Sequence, residues 1–130
     1  MEPMYFKGPR CQLFGVYHEP RRSVKRPLGV VVCEPWGHEQ IRAHRTTVAL
    51  ARRLAELGAM VFRFNYDGCG DSSDSNIDCG IKGYVEDAQA ALGELKAGTG
   101  VDQTCLISLR LGANIAADCA QKTDGIVGLV

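Results

Sequence analysis

No run of apolar residues in this sequence reaches the roughly 18 that a membrane-spanning helix needs, so no span is expected. Neither sign of charge is in surplus: 15 Lys and Arg meet 15 Asp and Glu. That removes the electrostatic case for nucleic acid or an anionic membrane as an obligatory partner. The six cysteines, Cys11, Cys33, Cys69, Cys79, Cys105 and Cys119, include no C-x-x-C pair. Cys33 and Cys105 sit within apolar runs, where cysteine behaves as a small hydrophobe. Reduced thiols in a cytoplasm are expected in preference to a disulfide framework. The opening MEPMYFKGPR puts Glu2 and Pro3 where a signal peptide would have an apolar core. There is no internal repeat, and 130 residues leave room for one domain.

What is present is an alternation of two hydropathy periods. Met4–Phe6 and Gln12–Tyr17 read as two strands joined by a Gly8-Pro9 turn. Glu19–Pro27, charged and bounded by prolines, reads as an exposed hairpin connection. Leu28–Cys33 is a continuous apolar, β-branched run, the pattern of a strand covered on both faces. His44–Leu57 has helical period: Val48, Ala51 and Ala55 share a face flanked by Leu50, Leu54 and Leu57, with Gly58 placed to end it. Ala59–Phe64 is a further strand, and Gly83–Lys96 a further helix whose Glu86 and Asp87 suit a first turn. Thr104–Leu109, Gly112–Gln121 and Gly125–Val130 follow as strand, Ala-rich helix and strand. Strands alternating with helices of this length predict a mostly parallel sheet with helices on both faces, preceded by an antiparallel hairpin. Sites in such sheets lie at the carboxyl ends of the strands. Three loops therefore matter most: Glu34–Arg45, Asn65–Ile81 and the turn at Ser108–Gly112.

Four segments, in this order and spacing, resemble the α/β-hydrolase superfamily: YFKGPRCQLFGVYHEP, GVVVCEPWGHEQIRAHR, FRFNYDGCGDSS and CLISLRLGANIAA. The likeness runs over essentially the whole chain. It is to the serine aminopeptidase-like group, and within it to the hydrolases that accompany bacterial exosortase and exopolysaccharide systems. The resemblance implies a three-layer α/β-hydrolase-type fold and ester, thioester or amide hydrolase or acyltransferase chemistry on a small acyl substrate. In that superfamily a G-x-S-x-G elbow exposes the nucleophile on a strained strand-to-helix turn. Here the aligned residues are Ser108-Leu109-Arg110-Leu111-Gly112. Arg110 stands at the nucleophile position and Ser108 replaces the first glycine. The sub-group often carries a similar G-L-R-L-G-A string.

A guanidinium stays protonated at ordinary pH and cannot attack a carbonyl. Three readings of the elbow follow. Arg110 forms a structural ion pair with a loop carboxylate such as Asp67 or Asp71. Alternatively Arg110 and the backbone N–H groups of the next helix clamp a carboxylate, phosphate or sulfate, and the chain is a non-catalytic homologue that binds an anionic ligand or a protein partner. In the third, Ser108 serves as a displaced nucleophile. The resemblance places the oxyanion donors at the N–H groups of Leu111 and Trp36, although Trp36 reads equally well as an apolar lid. His38 and Glu39, in a charged helix entrance with Arg42, His44 and Arg45, are candidates to reach Arg110 across the cleft, or else form a solvated face. The glycines of Asp67–Ser72 suit backbone turns. Gly68-x-Gly70 lacks the third glycine and helix of a dinucleotide fingerprint, and Cys69, Cys79 and His38 lack zinc-ligand spacing, so no cofactor or metal is expected.

The superfamily's acid and histidine come after the elbow in chain order, whereas His18, His38 and His44 all precede it. Residues 1–130 are therefore expected to be the N-terminal half of one α/β-hydrolase domain, truncated after the sixth strand. The last strand would leave an open sheet edge, which predicts poor solubility or a homodimer.

Overall fold

The structure, a computed structural model, describes residues 1–130. The elements run β1 (Glu2–Lys7), β2 (Gln12–His18), β3 (Gly29–Cys33), α1 (His38–Glu56), β4 (Met60–Phe64), α2 (Gly80–Thr99), β5 (Thr104–Ser108), α3 (Leu111–Lys122) and β6 (Ile126–Leu129). They form one six-stranded sheet of order β1-β2-β4-β3-β5-β6. β1 and β2 are an antiparallel hairpin and β2 joins β4 antiparallel, while β4, β3, β5 and β6 are mutually parallel.

This order dictates where the helices go. From β3 the chain steps sideways to β4 through α1, then returns past β3 to β5 through α2, and continues outward to β6 through α3. Parallel crossovers are right-handed, so reversing the direction of travel puts α1 on one face and α2 and α3 on the other. The core follows that division. Eighteen buried residues fill the α2/α3 side, among them Leu13, Val31, Phe62, Phe64, Leu92, Leu95, Leu106 and Ile115. On the α1 side only Val30, Val32, Ala51 and Val61 form a buried apolar cluster. The direction reverses between β3 and β5, and the crevice beyond their carboxyl ends is where open α/β sheets place their sites.

Four expectations need correction. Glu19–Pro27 is exposed but is no hairpin: β2 pairs with β4, so the segment carries the chain across the sheet to β3. α1 begins at His38, six residues before His44, because Gly37 supplies the entry turn and accepts from the N–H of Gln40 at 3.1 Å. The charged HEQIRA segment is thus helix and carries side chains to the carboxyl end of β3. α2 begins at Gly80, which moves Glu86 and Asp87 into its second turn, with Asp87 fully buried. The buried stripe of α1 is Thr47, Ala51 and Ala55, leaving Leu50 and Leu57 exposed. All six cysteines are free thiols.

Candidate functional site

β5 ends at Ser108 and α3 starts at Leu111, so the chain turns within two residues. Arg110 makes that turn possible with φ 54° and ψ −121°. A side-chain-bearing residue held there stores about 1–3 kcal/mol of backbone strain. Gly112 explains how α3 comes so close: a Cβ at that position would overlap the backbone carbonyl of Cys33 at the end of β3. The elbow is thereby pressed against the segment Cys33–Trp36. The strained turn expected from the sequence is present, with arginine on it.

The Arg110 side chain is 68% exposed, and its Nε stands 3.2 Å from Glu39 Oε1, itself 46% exposed. A pair this open contributes at most about 1 kcal/mol. Of the carboxylates expected to hold Arg110, neither Asp67 nor Asp71 does so. Asp67 is taken by Arg10 at 2.8 Å, while the N-terminal extension of α1 brings Glu39 across instead. Glu39 therefore meets Arg110 and His38 does not; His38 lies exposed on the rim of the adjoining cavity. Ser108 sits at the strand end, off the strained turn. Its hydroxyl donates to the Val130 carbonyl at 2.9 Å, which occupies the proton a nucleophile would have to lose.

Two backbone N–H groups, those of Leu111 and Trp36, have no backbone partner. Leu111 is the first residue of α3 and has no carbonyl four residues back within that helix. The Trp36 side chain is half exposed, and its indole N–H donates to the Tyr84 hydroxyl at 3.0 Å. It therefore ties the β3–α1 loop to α2.

The loop after β4 is held by a buried charge network that the sequence did not reveal. Arg10, on the β1–β2 turn, bonds Asp67 through Nε at 2.8 Å, Asp87 at 2.6 Å, Glu86 at 3.3 Å and the Gly83 carbonyl at 3.0 Å. Asp87 also accepts from the Asp67 N–H at 3.0 Å, and Ser75 donates to Asp67 from its N–H at 2.9 Å and its hydroxyl at 2.6 Å. Burial alone would raise the Asp67 carboxyl, but the Ser75 and Arg10 hydrogen bonds outweigh it and hold the pKa at about 2. Asp87 is pushed the other way, upward, because its burial outweighs the Asp67 N–H and Arg10. Gly70 has φ 52°, and a Cβ there would collide with the Asn65 amide, so this glycine serves the turn as expected.

A second polar chain lies under α1. Arg63 Nε donates to His18 Nε2 at 3.0 Å, and Arg63 approaches Glu34 Oε1 at 3.9 Å. Glu34 Oε2 accepts from Gln40 at 2.9 Å and Asn65 at 3.3 Å, while Oε1 has no hydrogen-bond partner. Burial, followed by the Arg63 charge, lowers the His18 pKa to about 4, so the ring is neutral. Burial also raises the Glu34 carboxyl, against the Gln40 hydrogen bond and the Arg63 charge. The signal for this chain was Arg63 itself, a charge inside the otherwise apolar run Ala59–Phe64. Beside it opens a cavity of about 1070 Å³ rimmed by Trp36, His38 and Glu39. No cluster of His, Cys, Asp or Glu side chains could hold a metal ion, and no helix is long and apolar enough to cross a membrane.

Comparison with known proteins follows from this architecture. No protein-family model matches the sequence, and no curated protein matches it. Solved structures do. An α/β serine hydrolase homologue from Coxiella burnetii is 26% identical with a TM-score of 0.79, the match covering 98% of this chain and 61% of that one. An α/β serine hydrolase without a lid from Xanthomonas campestris is 27% identical with a TM-score of 0.80, covering 97% of this chain and 59% of that one. The structure of Est1E from Butyrivibrio proteoclasticus with ferulic acid bound is 20% identical with a TM-score of 0.82, covering 97% and 50%; at that identity the likeness is one of fold. The chain thus spans about three-fifths or less of the length of these structures. Its fold is of the α/β-hydrolase type, and its similarity to α/β serine hydrolases supports that superfamily.

Proposed function

We propose that residues 1–130 are the N-terminal part of an α/β-hydrolase domain of the serine aminopeptidase-like, exosortase-associated group, and that its elbow receives an anion in place of supplying a nucleophile. The observation that carries this is Arg110: a cation on the strained turn, two-thirds exposed, and held only by the roughly half-exposed Glu39. An incoming carboxylate or phosphate replaces Glu39 at little cost, gains a charge-assisted contact with the guanidinium, and meets the N–H donors of Leu111 and Trp36. Ligands of this reading are small acyl or anionic molecules. The test is thermal stability in acetate, succinate and phosphate against chloride at equal ionic strength. Stabilisation that disappears in Arg110→Gln supports the clamp, and an identical response in both proteins sinks it.

A second reading keeps acyl-transfer or hydrolytic chemistry, and the retained backbone donors favour it, since they do not depend on the missing serine. It requires a nucleophile other than Arg110. Loss of the nucleophile costs a serine protease on the order of a millionfold in turnover. Short-chain nitrophenyl esters test it: turnover above the uncatalysed rate that persists in Arg110→Ala supports it, and no turnover above that rate sinks it. For association, the exposed Val127 and Leu129 of β6 are the contact a homodimer would use.

A further inference from the structure

Arg63 is a more deeply placed cation than Arg110, and the elbow does not use it. Its side chain is only 8% exposed. A guanidinium carries five N–H donors, and in this protein one of them, on Nε, is engaged, with His18. The nearest carboxylate oxygen, Glu34 Oε1, lies at 3.9 Å, beyond hydrogen-bond reach. The terminal nitrogens have no protein partner, yet they are not sealed in: Glu34 Oε1 is the single buried polar side-chain atom without one. They reach solvent through the cavity that Arg63 lines.

The cavity's other walls narrow the choice of ligand. Phe14 and Val16, whose side chains share the α1 face with Arg63, give it an apolar floor along β2. Its volume of about 1070 Å³ suits a small organic molecule. The charge balance disfavours an anion: Glu34 stands beside Arg63, Asp71 lies on the wall, and Glu39 on the rim is matched by Arg110. A second carboxylate at Arg63 would therefore enter against two acidic side chains with one cation to share. A neutral oxygen acceptor meets no such opposition.

We propose that this cavity binds a neutral amphipathic molecule, its aromatic or aliphatic body on Phe14 and Val16 and its carbonyl oxygen accepting from the terminal nitrogens of Arg63. The site adjoins the anion-receiving elbow, sharing Trp36 and Glu39 on its rim, but rests on Arg63, which the elbow does not use.

Trp36 is the sole tryptophan and lines the cavity, so its fluorescence reports occupancy. Benzamide, benzoate and benzylamine are titrated into the native protein and into Arg63→Lys, with the Arg63 Nε–H resonance followed by NMR in the native protein. The expected result is saturable benzamide binding that moves the Arg63 resonance, weakens about tenfold or more in Arg63→Lys, and exceeds benzoate and benzylamine. Ile41→Asp, a substitution at an exposed rim position, also weakens it without touching the fold. Benzoate binding tighter than benzamide overturns the assignment, as does benzamide binding that leaves the Arg63 resonance unmoved, or no saturation up to the solubility limit. Survival of the phosphate response in Arg63→Lys separates a failure here from a failure at the elbow.

Discussion

Removing Arg10 should damage this protein more than removing any charge at the elbow. Arg10 makes four hydrogen bonds to three carboxylates and a carbonyl, and two of those carboxylates, Asp67 and Asp87, are almost wholly buried. Arg10→Met keeps the stem's packing but strands two negative charges in the interior. Breaking a buried ion pair from one side costs about 3–5 kcal/mol, a large share of the roughly 5–15 kcal/mol that stabilises a domain. At this chain length that corresponds to a fall in Tm of about 10–20 °C. Urea denaturation at pH 7, followed by Trp36 fluorescence and by circular dichroism, measures it. The variant should also lose less stability on acidification than the parent does. In the parent, Asp67 has a folded pKa of about 2, below its unfolded value. Its contribution is therefore complete above the unfolded pKa of about 4 and is lost as pH falls towards 2. Without Arg10 the buried carboxyls titrate upward, so lowering the pH from 7 to 5 should narrow the stability gap between variant and parent. A loss under about 1 kcal/mol, the size of a surface pair, or a gap that does not narrow on acidification, would refute the reasoning.

Arg110→Gly should stabilise the protein by about 1 kcal/mol, because glycine occupies a positive φ without strain and the Glu39 pair it removes is exposed; a lower urea midpoint would contradict it. Below pH 6.5 the native state should weaken progressively towards pH 4, since the His18 pKa is depressed to about 4 and the unfolded chain binds the extra proton first. The effect is on the order of 2 kcal/mol, and His18→Gln should flatten that part of the stability–pH curve. Gly112→Ala should cost at least about 1–3 kcal/mol, because its Cβ overlaps the Cys33 carbonyl, and amide shifts should spread from Leu111 to Trp36 if the elbow is displaced.

The elements were legible where one period dominated. The all-apolar run to Cys33 is β3, buried throughout, and the Ala-rich segment after Gly112 is α3 to within a residue. The strained elbow was legible from Ser108–Gly112 because a strand and a helix leave only two residues between them. Less was readable where tertiary contacts overrode local pattern. HEQIRA is charged and looked like a loop, yet Gly37 starts a helix there, and that helix delivers Glu39 to Arg110. The pairing of β2 with β4, whose register sets His18 opposite Val61, follows from the sideways step through α1 and has no local signature. The Arg10–Asp67–Asp87 network joins three segments distant in sequence. Nothing in the spacing of an arginine in a turn distinguishes a buried clamp from a solvated side chain.

The central claim is that the elbow holds an anion on Arg110 and the adjoining backbone donors. The most direct measurement is the amide and guanidinium NMR spectrum of the protein titrated with sodium phosphate against sodium chloride. The account predicts saturable shifts of the Leu111 and Trp36 amides together with the Arg110 Nε–H, all absent in Arg110→Gln. Shifts confined to exposed lysines and arginines elsewhere, with Leu111 and Arg110 unmoved, would contradict it.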